Sequence, residues 1–150
     1  MLALALMLLA DETQIEAHIK ALKDKDKAVR KAAAEALEKA DDKKGLAIKP
    51  LAEVLNNKAE DPAVRYAAAK ALGKAQFKHD ALEALITCIC SIGNKDRDLH
   101  QFGADVTEIL NKFSGEDFGK GKQTPMLWEQ WWADNKEKLK AEDAKKRGKP

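Results

Sequence analysis

Asp26 to Ala40 reads DKAVRKAAAEALEKA, and Asp61 to Ala75 reads DPAVRYAAAKALGKA. The two phrases are identical at 11 of 15 positions and lie 35 residues apart. Taking Lys31 as the zero of a wheel with about 3.6 residues per turn places Val29, Ala32, Ala33, Ala36, Leu37 and Ala40 on one side. Lys31, Glu35 and Glu38 fall on the other. The second phrase places Val64, Ala67, Ala68, Ala71, Leu72 and Ala75 in the same way. Each is therefore an amphipathic helix whose apolar face is made of small residues. Small residues let a neighbouring helix approach closely, so these helices belong inside a stack.

A second helix precedes each phrase. Ile15, Ile19 and Leu22 are spaced i, i+4, i+7 before the first, and Leu51, Val54 and Leu55 form the equivalent stripe before the second. Pro50 is tolerated there only near a helix start. Asp26 and Asp61 open the phrase helices as N-caps, and Pro62 occupies the first helical position, where proline is favoured. A weaker third unit follows. Leu82, Leu85, Ile86 and Ile89 supply its first helix, and Phe102, Val106, Ile109 and Leu110 its second. Adding the period to Asp61, Val64 and Arg65 lands on Asp96, Leu99 and His100. The units span about 11–40, 44–75 and 79–113, with a connector over 114–123. Repetition has a physical reason: a helical pair cannot bury its apolar side alone and needs a copy alongside.

Composition agrees with an all-α chain of 150 residues, with 35% charged and 5% aromatic side chains. Net charge is +2, too small to mark a nucleic-acid protein. The charge is uneven: residues 136–150 hold seven Lys/Arg against three Asp/Glu, while the other 135 hold 20 against 22. The first ten residues, MLALALMLLA, are too short to span a membrane, which takes about 20. They match the apolar core of a secretory signal cleaved after Ala10. No Lys or Arg precedes the run, and Leu8 stands where a small residue is preferred; the other reading is an apolar cap over the end of the core. The first reading places the protein outside the cytoplasm, the second inside it.

The pattern Asp-x-x-Val-Arg-x-x-Ala-x-x-Ala-Leu-Gly at Asp61–Gly73 resembles the HEAT-repeat family, in particular its short form shared with bilin-lyase-like proteins. The resemblance covers residues 12–113. FSGEDFG (Phe113–Gly119) followed by TPMLWEQWWADNK (Thr124–Lys136) is similar to the closing segment of small bacterial HEAT-repeat proteins. It implies a short right-handed α-solenoid of about three helical pairs, closed by a Trp-x-x-Trp-Trp helix. It further implies a polar ladder stacking Asp26, Arg30, Asp61, Arg65 and Asp96 along the array, with His100 departing from the pattern. A guanidinium fork on a neighbour's carboxylate would fix the stacking register.

Catalytic chemistry finds no support. Cys88 and Cys90 are two residues apart, about 200° around a helix, so they do not bridge each other. No second Cys/His pair stands at zinc-ligand spacing. GEDFGKGK (Gly115–Lys122) lacks the gap and the Lys-Ser/Thr ending of a phosphate loop and reads as a flexible connector. No cofactor, metal or small-molecule substrate is implied.

Thr124 and Pro125 predict a helix start, with Trp128, Trp131, Trp132, Asn135 and Leu139 sharing one face over 124–140. That helix reads as a lid on the last repeat, and 141–150 as a basic flexible tail. The resemblance implies that the ridge of inner helices binds another protein. The exposed stripe there reads Lys31, Glu35 and Glu38, then Tyr66 and Lys70, then Gln101, Asp105 and Glu108. The period aligns Lys31, Tyr66 and Gln101 in one row and Glu35, Lys70 and Asp105 in the next. The expected function is a non-catalytic protein-interaction scaffold. Two alternatives stand beside it: a bilin-lyase-like enzyme or chromophore-handling protein, and a weak nucleic-acid or acidic-surface binder acting through the basic tail.

Overall fold

A computed structural model describes residues 2–92, 100–119 and 124–148, with side chains from residue 11 of the first stretch and residue 101 of the second. Among these residues there are seven helices and no strands: α1 (Leu2–Ala21), α2 (Lys27–Lys39), α3 (Ile48–Asn56), α4 (Pro62–Leu72), α5 (Lys78–Ser91), α6 (His100–Ser114) and α7 (Thr124–Arg147). The pairs α1–α2, α3–α4 and α5–α6 stack so that α2, α4 and α6 form one row and α3, α5 and α7 another.

Both expected N-caps are in place. The Asp26 carboxylate accepts from the Ala28 N–H at 2.8 Å, and Asp61 accepts from Ala63 at 2.9 Å. The start of α3 uses a different device. Asp42, back in the loop, accepts from the N–H groups of Leu46 and Ala47 at 2.9 and 2.8 Å. Pro50 then sits in the first helical turn, where its missing N–H breaks no bond. Gly45 in that loop has φ +70°, and a Cβ there would lie 2.6 Å from the Phe77 ring. The turn is therefore both left-handed and pressed against an aromatic side chain, which suits glycine alone.

The inner row is packed through alanine. Ala33, Ala34 and Leu37 of α2 are buried, as are Val64, Ala67, Ala68, Ala69, Ala71 and Leu72 of α4. The first copy departs from the expected face: Val29 is 40% exposed and Ala32 is exposed, whereas Ala34 is fully buried. Their counterparts Val64 and Ala67 are buried: α4 is flanked in its row by α2 and α6, whereas among the described residues α2 has only α4 beside it in the row. At the C-terminal end of α4 the backbone also comes close to α6. A Cβ on Gly73 would fall 2.5 Å from Cγ2 of Ile109.

The C-terminal segment corrects two expectations. The tryptophan helix does not end near 140; it runs to Arg147, so most of the supposed tail is helical. It also lies along α5 rather than across the end of the third unit. At one end Cys90 Sγ donates to the Pro125 carbonyl at 3.6 Å. At the other, the Asp143 carboxylate accepts from the His79 N–H at 2.7 Å, capping the start of α5. α7 thus runs antiparallel to α5 and extends the outer row. Trp128 is fully buried, with Phe118 edge-on at 4.7 Å and Trp131 at 5.5 Å, and Trp132 sits 5.1 Å from the His79 ring. The described part of the connector, 114–119, is held in place: Asn111 donates to Asp117 at 2.8 Å, and Thr124 bonds back to the carbonyls of Phe118 and Gly119; 120–123 lie outside the described residues.

Candidate partner surface

The polar ladder is shifted from its expected form. Arg30 grips Glu60, not Asp61, with two bonds of 2.7 Å, and donates a third to the Asp24 carbonyl at 2.8 Å. That fork holds the Glu60 carboxyl below the usual carboxylate range. Asp61 is instead paired with Lys27 at 2.8 Å, the main cause of its own depressed value. Arg65 is only 2% exposed, and no carboxylate among the described residues pairs with it. Its guanidinium donates to the Leu55 carbonyl at 2.8 Å, reaches Cys88 Sγ at 3.7 Å and covers the Phe102 ring at 4.5 Å. Arg65 therefore ties α3, α5 and α6 to α4. Asp96 lies outside the described residues, as does the side chain of His100.

The exposed stripe resolves into a groove of about 380 Å³ between α4 and α6. Tyr66, 38% exposed, and Lys70 line it from α4; Asp105 and Glu108 line it from α6. Gly73 and Ile109 form its floor, and Lys74 and Lys112 stand at its rim. The floor exists because the repeat breaks there: Gly73 occupies the position that Glu38 holds in the first copy. A side chain of that size would fill the groove.

Five expected members behave differently. Glu38 is not an exposed ridge residue; its side chain is 8% exposed and is clamped by Lys74 at 2.7 Å and Lys70 at 3.2 Å. The Lys74 bond, helped by Lys70, pulls its carboxyl below the ordinary value despite burial. Lys70 thus pairs with Glu38 and not with Glu35 of the expected row. Lys31 and Glu35 pair with each other at 3.1 Å along α2, outside the groove. Gln101 donates to Asp105 at 2.7 Å without lining it. Lys112 bonds Glu108 at 2.8 Å, which raises the lysine. A second cleft of about 370 Å³ shares Glu38 and Lys74 with the first and continues toward Ala40, Ile48 and Leu51.

Sequence reasoning missed Gly73, Ile109, Lys74 and Lys112. The one legible signal was the Glu-to-Gly difference between the copies.

Cys88 and Cys90 point to opposite sides of α5, the first toward Arg65 and the second toward α7. Burial raises both thiols, and pushes Cys90 up to about 12 with help from Glu129. Among the described residues no group of three or more His, Cys, Asp or Glu is placed to hold a metal ion, and no helix is long and apolar enough to cross a membrane.

Compared with known families, residues 15–98 match the HEAT repeats. The chain belongs to the HEAT-repeat family. No curated protein and no solved structure matches it. HEAT repeats commonly serve as protein-interaction scaffolds, and the family is generally non-catalytic. The match includes the α4 wall of the groove and ends before α6.

Proposed function

We propose that this HEAT-repeat chain is a non-catalytic scaffold that takes a segment of a partner protein into the groove between α4 and α6. The observation that carries this reading is Tyr66, the chain's single tyrosine, left exposed beside a floor made by Gly73 and Ile109. A half-exposed aromatic ring over an apolar floor, ringed by charged side chains, has the anatomy of an interface centre with its polar rim. Seven of the 11 α4 residues are buried, so the ring stands on a closely packed helix. Binding there would not require the scaffold to order itself, which limits the entropy cost.

The basic-tail alternative loses ground. Lys146 donates to the Gln76 carbonyl, and Arg147 pairs with Asp80 at 3.0 Å while covering the Phe77 ring. These charges hold α7 onto α5 and are not presented as a loose basic tail. The bilin-lyase-like alternative has no feature of the groove in its favour.

A photo-crosslinking residue placed at Tyr66 in the native host tests the proposal. A discrete adduct from this position, missing when the same residue replaces Glu53 on α3, supports it. Identical adducts from both positions, or none from Tyr66, count against it.

A further inference from the structure

The two walls of the groove differ in charge. On α4, the exposed ammonium groups of Lys70 and Lys74 share the single carboxylate of Glu38. Two positive charges meet one negative charge, and each ammonium has three donors, of which one is used on Glu38. On α6, Asp105 is bonded to the neutral amide of Gln101 at 2.7 Å, and no cation among the described residues pairs with it. Between the walls lie Tyr66, Gly73 and Ile109. The groove is thus positive on one side, apolar in the middle and negative on the other.

We propose that the occupant is a peptide segment of a partner protein that carries a carboxylate toward Lys70 and Lys74, an apolar side chain over Tyr66 and Ile109, and a basic side chain toward Asp105. This rests on the groove being the binding site, and adds its polarity. Exposed pairs are individually weak, about 0–1 kcal/mol, so charge does not by itself hold the segment. The apolar centre supplies affinity, and the walls fix direction: a reversed segment would set like charges against each other on both sides. A uniformly basic or uniformly acidic partner fits one wall and is opposed by the other.

The test selects a random short-peptide library on the full chain and measures an enriched synthetic peptide by fluorescence polarisation. The expected consensus has an aromatic or aliphatic residue flanked by one acidic and one basic residue. Asp105→Lys should weaken the peptide about tenfold, Asp105→Asn less, and changing the peptide's basic residue to Glu should restore binding to Asp105→Lys. Circular dichroism confirms that both variants keep the fold. If Asp105→Lys and Asp105→Asn leave affinity unchanged while Tyr66→Ala abolishes it, the polarity is overturned and the groove stands. If Tyr66→Ala also has no effect, or no peptide is enriched, the binding site itself is overturned.

Discussion

Replacing Arg65 by alanine probes how the repeats are tied together. Three favourable contributions disappear. The charged donor's bond to the Leu55 carbonyl, at 2.8 Å, is worth about 1.5–3 kcal/mol. The guanidinium over Phe102, at 4.5 Å, adds about 2 kcal/mol in a buried site. The emptied stem leaves a cavity among α3, α5 and α6 that costs about 2 kcal/mol or more. Against these stands the relief of keeping a cation at 2% exposure with no carboxylate partner among the described residues, several kcal/mol in the opposite sense. The balance is a loss of about 2–4 kcal/mol, or a fall in melting temperature of roughly 5–15 °C for a chain of this size. Thermal or urea denaturation followed by circular dichroism reads it. Arg65→Met keeps most of the volume and discards the charge, so it should lose about 1 kcal/mol. Lys27→Ala removes a surface ion pair whose lysine is largely exposed and should leave the melting curve almost unchanged. If Arg65→Ala and Lys27→Ala melt within a degree or two of each other, the central role given to Arg65 is wrong.

Asp143→Ala should destabilise by about 1–2 kcal/mol by removing the cap on α5, and deleting 124–150 should produce an aggregating chain; a truncated protein that stays monomeric with an unchanged melting curve would show that α7 covers nothing. Glu38, Glu60, Asp61 and Asp80 all have depressed values in the fold, so their contribution is complete above the ordinary carboxylate range and lost as pH falls through the folded values. Stability measured against pH should therefore be level near neutrality and drop below about 4.5, more shallowly in Glu38→Gln. Neither thiol should react with Ellman's reagent at mildly alkaline pH in the native protein, while both of the chain's two cysteines react in denaturant; rapid native labelling of Cys90 would contradict its raised value. We propose, lastly, that the mature protein begins at Asp11 outside the cytoplasm, and N-terminal sequencing from its own host that returns intact Met1 from the cytosol would disprove it.

How much of this could be read beforehand depends on the range over which each residue acts. The helix starts at Asp26 and Asp61 were legible because a cap bonds its own chain two residues on. The stacking of α2 on α4 was legible because it repeats a pattern, and the repeated alanines have one use. Val29 and Ala32 were misread for the same reason: identical residues in the two copies meet different neighbours, since α4 is flanked in its row by α2 and α6 and, among the described residues, α2 by α4 alone. Arg30 was assigned to a carboxylate of the next unit, and the structure chose Glu60 over its neighbour Asp61; a one-residue shift is invisible to spacing when both candidates are acidic. α7 was the hardest. Its last turns have no apolar periodicity, and by composition they resemble a solvated tail. They are helical because Asp143 finds an unsatisfied N–H at His79, 64 residues away, and because Arg147 finds the Phe77 ring. The α5 start has no side-chain cap of its own at Phe77, and that deficit was visible in the sequence; what would fill it was not. The groove follows the same logic in reverse. Gly73 is legible as a break in the repeat, but a missing side chain becomes the floor of a groove only once Ile109 of α6 is known to line the same opening. Departures from the repeat, at Gly73 and at Tyr66, therefore carry more information about function than the repeat itself, whose identical positions are spent on holding the stack together.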